Sequence, residues 1–148
     1  MATQADELHD NLTAMPSDQL IDGSAPCPCG LLASSGQCCQ RFLRGDESPK
    51  TAEQLMRSRY CAFVVCDQAY LLATWHEKTR PSKVRFNDKH RWLGLRIRAT
   101  DGGGEADMTG VVEYVARYKV DGSGHRLHET SRFSKSGSRW YYLDGEHL

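Results

Sequence analysis

The pattern of apolar and polar positions changes period midway along the chain. In "ESPKTAEQLMRSRYCAFVVCDQAYLLATWHEKTRP", the residues Ala52, Leu55, Met56, Arg59 and Phe63 recur at the spacing of an amphipathic helix. Thr51 followed by Gln54 has the form of a capping box at its start. Asp67 is the expected N-cap of a second helix, with Tyr70, Leu71, Thr74 and Trp75 on one face. A short third helix is expected in "PSKVRFNDKH". From Trp92 onward the alternation has period two. "RWLGLRIRAT", "MTGVVEYVARYKV", "HRLHETSRFS" and "RWYYLDG" read as four strands separated by "DGGGEAD", "DGSG" and "KSGS". Three helices followed by four antiparallel strands is an α+β layout.

The turns predict a register. If "DGSG" joins Val120 to His125 as a pair, then Val112, Tyr114, Ala116 and Tyr118 share a face with His125, Leu127, Glu129, Ser131 and Phe133. This face is the more apolar and should lie under the helices. The other face carries Glu113, Arg117 and Lys119 with Arg126, His128 and Arg132, and places Glu113 opposite Arg132. The same register sets Ala116 opposite Glu129. Pairing Phe133 with Trp140 adds Tyr142 and Asp144 to the inner face.

Composition narrows the class. A chain of 148 residues with 39% hydrophobic residues and a mean hydropathy of −0.59 is the size of one ordinary domain with a modest core. It has no apolar run near the ~20 residues of a membrane span, and no secretory signal at its start. A reducing cytoplasm is the expected compartment. Residues 1–26 carry Asp6, Glu7, Asp10, Asp18 and Asp22 and no Lys or Arg, so the rest of this neutral chain carries +5. A charge that small is no nucleic-acid footprint, so no nucleic-acid partner is expected. Residues 1–24 read as an acidic disordered tail, with a short helix at most through Leu8, Leu12 and Met15.

The chemistry-bearing stretch is "CPCGLLASSGQCC". It holds Cys27, Cys29, Cys38 and Cys39, four of the six cysteines. Joining Cys27 to Cys29 and Cys38 to Cys39 strains both bridges, and the crossed pairings need an oxidising compartment. A thioredoxin-type site needs C-x-x-C, which is absent. A closed structural zinc site of four thiolates fits better. Pro28 stiffens the first pair, and Gly30 and Gly36 are expected to turn the chain with positive φ. "CCQRFLRG" is expected to begin a helical turn ending at Gly45. Four protein ligands leave no coordination position for a reacting water, so this zinc would fold the chain and carry out no reaction.

These four positions resemble the SEC-C motif, a small zinc-binding element, although the loop "GLLASSGQ" carries none of that motif's usual lysines. Further along, "LMRSRYCAFV", "YLLATWH", "WLGL", "VARY", "SRF" and "WYYLDG" resemble the YchJ-like family, whose members begin with the same cysteine element. The resemblance spans residues 25–145. It implies the cone fold of nuclear transport factor two, ketosteroid isomerase and SnoaL-like proteins: helices packed on a strongly curved antiparallel sheet, often around a pocket. The implied organisation is a zinc knuckle at 25–46 and a cone domain at 47–148.

Two functional readings stay open. In the first, the protein is a non-enzymatic zinc-bearing binding module. It contacts a protein partner through Leu31, Leu32, Arg41 and Phe42, and the cone is a candidate holder of a small ligand. In the second, the cone is an enzyme moving a proton or water on a small hydrophobic molecule. Glu129 or Asp144 would be its base and Tyr60 or Tyr142 its hydrogen-bond donor. The pocket on this map is lined by Arg57, Arg59, Tyr60, Trp75, Tyr114, Glu129, Ser131 and Tyr142. The competing structural role for Glu129 is a buried salt bridge to Arg57 or Arg59. Cys61 and Cys66 read as reduced, partly buried thiols, and His76 as an exposed or core-edge residue. "DGGGEAD" lacks the lysine and following helix of a phosphate loop. A monomer and a sheet-mediated dimer are both compatible with the face polarity.

Overall fold

Both helix starts are made by the residues expected to make them. The computed structural model describes residues 22–148; the expected helix through Leu8, Leu12 and Met15 lies outside them, as does most of the expected tail. The order is α1 (Gln40–Leu43), α2 (Ala52–Val64), α3 (Gln68–Ala73), β1 (His90–Gly102), β2 (Thr109–Val120), β3 (Ser123–Ser136) and β4 (Arg139–His147). At α2, Thr51 Oγ1 accepts from the Gln54 N–H at 3.1 Å. The Gln54 side chain reaches back to the N–H of Lys50 at 2.7 Å, one residue before the position a capping box uses. At α3, Asp67 Oδ1 accepts from the Tyr70 N–H at 3.0 Å. Burial pushes the Asp67 carboxyl up, and that hydrogen bond opposes the shift.

The expected third helix at 81–90 does not form. Val84 and Phe86 alternate there, so an extended segment buries Val84 and sets Phe86 edge-on to Phe63 at 6.1 Å. The Val84 N–H is satisfied by Gln68 Oε1 at 2.8 Å. The third helix is α1, inside the cysteine segment.

The four strands form one antiparallel meander in the order β1-β2-β3-β4. The β2–β3 turn is two residues long, not four: Val120 pairs with Ser123, and Asp121 and Gly122 take φ of 52° and 83°. Two consecutive positive φ values make the primed turn whose twist matches a hairpin. The register therefore differs from the expected one by two residues. A two-residue shift preserves faces, so Val112, Tyr114 and Ala116 are buried as expected. Opposite partners do change. Ala116 faces Leu127, and Glu129 faces Tyr114. Glu113 faces Thr130, and its carboxylate meets His128 Nε2 at 2.7 Å in place of Arg132.

The β3–β4 pairing contains a bulge. Phe133 pairs with Tyr142 and Arg132 with Asp144, so Leu143 is the extra residue. Past Leu143 the sides exchange. Asp144 moves to the outer face, and His147 comes opposite Glu129.

Helix α2 packs its buried residues, among them Leu55, Met56, Ala62 and Phe63, against the inner face of the sheet. Each fully buried Leu, Met or Phe contributes about 1.5–3 kcal/mol of transfer free energy. The chain after α3 adds a short parallel bridge, Trp75 to Tyr142, to the outer edge of β4. The loop before β2 closes on the start of α2, where the Gly103 carbonyl accepts from the Ala52 N–H at 2.9 Å. "DGGGEAD" thus satisfies a backbone donor that the first turn of a helix leaves free.

Candidate metal centre

The segment 26–39 folds back on itself. Pro26 bridges Ser34, the Cys27 N–H donates to the Ala33 carbonyl at 3.1 Å, and the Gly30 N–H donates to the Cys27 carbonyl at 3.2 Å. Gly30 has φ 94°, the left-handed conformation that this turn needs. Gly36 does not adopt a positive φ. It lies in a 3-10 turn at Ser35–Gln37, hydrogen-bonded to the Gly23 carbonyl at 2.9 Å. Cys38 follows that turn and Cys39 is the N-cap of α1.

The result is a cluster. Cys27, Cys29, Cys38 and Cys39 are all buried, and their Sγ atoms lie within 4.8 Å of one another. Cys29 Sγ is 3.6 Å from Cys38 Sγ, and Cys38 Sγ is 3.9 Å from Cys39 Sγ. These four cysteines are positioned to hold one metal ion. Thiolates this close repel one another. Hydrogen bonds from Cys29 and Cys39 hold Cys27 far below the ordinary thiol range, while burial and the charges at Cys29 and Cys27 push Cys38 up to about 12. A bound cation resolves the conflict by favouring all four as thiolates.

Helix α2 supplies what the motif alone does not reveal. Cys61 is fully buried, with its Sγ 3.7 Å from Cys27 Sγ. One turn earlier, Arg57 Nη1 donates to the Cys29 carbonyl at 2.8 Å, while its Nε is held by Glu53 at 2.9 Å. The cysteines, Cys61, Leu55 and Met56 belong to one continuous core. Arg57 thus serves the cysteine segment and does not join the Glu129 cluster. The i, i+4 spacing of Arg57 and Cys61 is readable in the sequence, but nothing there shows that their face meets the cysteines.

The structure brings most of the other candidate residues together inside the cone. Glu129 is 2% exposed. It accepts a hydrogen bond from the Tyr114 hydroxyl, and its second oxygen lies 3.3 Å from His147 Nε2. Neither arginine forms a salt bridge to it. Arg59 is 1% exposed and donates through Nη1 to the Leu71 carbonyl at 2.9 Å and Thr74 Oγ1 at 2.7 Å. Its guanidinium lies over the Trp75 ring at 5.0 Å and the Tyr142 ring at 4.6 Å, and burial lowers its pKa to about 10. Burial also pushes the Tyr114 and Tyr142 phenols up, with the Glu129 charge adding to both shifts. Ser131 is buried beside this group, where a Cβ on Gly145 would meet both its Oγ and the Tyr142 hydroxyl. Tyr60 points elsewhere, edge-on to Trp92 at 5.7 Å.

Besides Arg57 and Tyr60, two more expected placements are corrected. Asp144 is on the outer face, bonded through both oxygens to Arg132, because of the bulge at Leu143. Phe42 is buried, and Arg41 lies over its ring at 4.5 Å while pairing with Glu47 at 3.2 Å. Of the expected contact residues, Leu31 and Leu32 are exposed, at 44% and 104%. Among the described residues, no helix is long and apolar enough to cross a membrane.

Comparison with known proteins agrees with this geometry. Residues 51–145 match the family described as YchJ, middle NTF2-like domain. The chain is 47% identical over 125 residues to a UPF0225 protein of Chromobacterium violaceum, covering 82% of this chain and 92% of that one. It is 48% identical over 123 residues to a UPF0225 protein of Streptomyces coelicolor, covering 83% and 96%. A solution structure of a SEC-C motif containing protein from Rhodopseudomonas palustris superposes with a TM-score of 0.73 at 30% identity, covering 83% of this chain and 98% of that one. A crystal structure of a SEC-C motif containing protein from Psychrobacter arcticus gives 0.67 at 26% identity, covering 82% of each. With four cysteines gathered at a SEC-C-like element and an NTF2-like domain on the curved sheet, the chain belongs to the YchJ-like UPF0225 family.

Proposed function

We propose that this protein is a non-enzymatic binding module folded around one structural zinc ion. The observation that carries this reading is the four-thiol cluster. Two of its Sγ–Sγ separations, 3.6 and 3.9 Å, lie close to the tetrahedral edge of about 3.8 Å that follows from a Zn–S distance of ~2.3 Å, and all four atoms lie within 4.8 Å of one another. Four buried sulfur donors suit a soft ion of tetrahedral preference better than an oxygen-seeking one. Such a site has no position left for substrate or water.

The cone interior supports the same reading. Both Glu129 oxygens are engaged, by Tyr114 and His147, and the residue is packed among buried side chains. A general base must reach a substrate proton, and this carboxylate is already committed to holding the sheet. Leu31 and Leu32, at the tip of the cysteine loop, are then the contact surface for a protein partner.

Metal analysis of the purified chain tests the proposal. One zinc per chain is expected, lost in Cys29→Ser and Cys39→Ser and retained in Cys66→Ser. A wild-type chain that purifies without metal and still shows an ordered cysteine segment by NMR would overturn it.

A further inference from the structure

Cys61 is remote from the cysteine motif in sequence and adjoins it in space. It lies on α2, fully buried, with its Sγ 3.7 Å from Cys27 Sγ. Its sulfur also interacts with those of Cys29 and Cys39. It falls outside the set of sulfurs that all lie within 4.8 Å of one another, which Cys38 completes. Two thiols, Cys38 and Cys61, thus adjoin the same three sulfurs without adjoining each other. Cys27, Cys29 and Cys39 form a face shared by two tetrads.

The two outer thiols differ in setting. Cys38 lies between the 3-10 turn and α1 and, at 6%, is the most exposed of the four clustered cysteines. Its carbonyl accepts from Nε of the partly exposed Arg41 at 2.9 Å. Cys61 is 0% exposed and is carried by a regular helix, where its carbonyl accepts from the Val65 N–H at 3.1 Å. Arg57, one turn earlier, ties that helix to the Cys29 carbonyl. A free cysteine in a core ordinarily behaves as a small hydrophobe. This one faces three sulfurs instead, and a soft donor in that position suits the same metal as its neighbours.

We propose that Cys61 is a reserve metal ligand: Cys27, Cys29 and Cys39 hold the ion throughout, and the fourth position passes between Cys38 and Cys61. In the exchange the metal–sulfur bond to Cys38 breaks and one to Cys61 forms. The proton that leaves Cys61 goes to Cys38, so the charge of the site is unchanged. The ion keeps four thiolates at either end, and Cys38, the outer thiol nearer the surface, is freed to react. This inference rests on the zinc reading above.

The test uses the full chain loaded with cobalt(II), whose thiolate charge-transfer band grows with each sulfur bound. Wild type is expected to bind one ion with a four-thiolate band. Cys38→Ser and Cys38→Ala should each keep one ion and the full band, because Cys61 takes the fourth position. Adding Cys61→Ser to either should cut the band to about three quarters and weaken cobalt binding by about tenfold or more. Cys61→Ser alone should match wild type in metal affinity. In the zinc-loaded wild type, iodoacetamide should alkylate Cys38 first, read by peptide mass spectrometry, and the zinc should stay bound. In Cys61→Ser the same alkylation should release it.

A three-thiolate band or loss of the ion in Cys38→Ala, with wild type still holding one ion, would overturn this inference and leave the zinc reading standing. So would a Cys38 that resists alkylation in wild type, or zinc release when it is alkylated there. A weakened site in Cys61→Ser alone would do the same, since it marks a thiol that only hydrogen-bonds to a ligand. A wild-type chain that binds no metal overturns both readings.

Discussion

Arg57 Nη1 donates to the Cys29 carbonyl at 2.8 Å, joining the second helix to the first cysteine pair across 28 positions of sequence. Cys61, four residues on, touches the Cys27 sulfur from the same helix face. The cysteine segment is therefore held on the cone by backbone and by sulfur, as part of one core.

Arg57→Ala leaves a carbonyl at the foot of the cluster without its donor. A loss of about 1–3 kcal/mol is expected in urea unfolding. Arg57→Lys should recover only part of it, because one ammonium does not reproduce the two-pronged hold on Glu53 and Cys29.

Metal removal should act on the whole fold. Cys27, Cys29, Cys38 and Cys39 share a core with Leu55, Met56 and Cys61. Chelation at neutral pH is expected to lower one cooperative melting transition, followed by calorimetry. A separate early transition with an unchanged main one would show that the cone is energetically independent. Acid should have the same effect, since protons compete with the metal for thiolates.

The pair on the outer face has a definite pH sign. Arg132 hydrogen bonds hold the Asp144 carboxyl below its ordinary value of 3.8. The pair thus contributes stability above that value, and the contribution is lost as pH falls through the lower folded value. Asp144→Asn should flatten the acid limb of the stability profile below about pH 4 and leave neutral stability little changed, because exposed pairs are screened. An identical acid limb in both proteins would contradict this.

The start of β2 tolerates no side chain at Gly110, where the preceding loop packs against it. A Cβ there would lie 2.5 Å from the Gly103 backbone and 3.1 Å from Ala52. Gly110→Ala should cost on the order of 1–3 kcal/mol by overpacking, or more if the loop cannot move. Gly124→Ala, with nothing within 4 Å, is the control and should be nearly neutral by the same thermal melt.

Several features were legible without coordinates because each is decided by a few neighbouring residues. Thr51 and Asp67 cap helices through hydrogen bonds three residues long. The spacing of Cys27, Cys29, Cys38 and Cys39 already implies that the four thiols gather, and Gly30 already implies its left-handed turn. Face parity along β2 and β3 survived a misplaced turn because side chains repeat every two residues.

Other features needed the folded chain. One extra residue, Leu143, sends Asp144 outward and brings His147 to Glu129, and no local pattern around Leu143 announces it. The approach of Cys61 to Cys27, and of Arg57 to Cys29, depends on which face of α2 meets the cysteine segment. The sequence by itself determined the two helix caps and the faces of β2 and β3, since short-range hydrogen bonds and side-chain alternation suffice for them, and it singled out the four clustered thiols by their spacing. Only the tertiary structure decided the partners of Glu129, the side of Asp144 and the company of Cys61, because bulges and packing are settled by the sum of many long-range contacts.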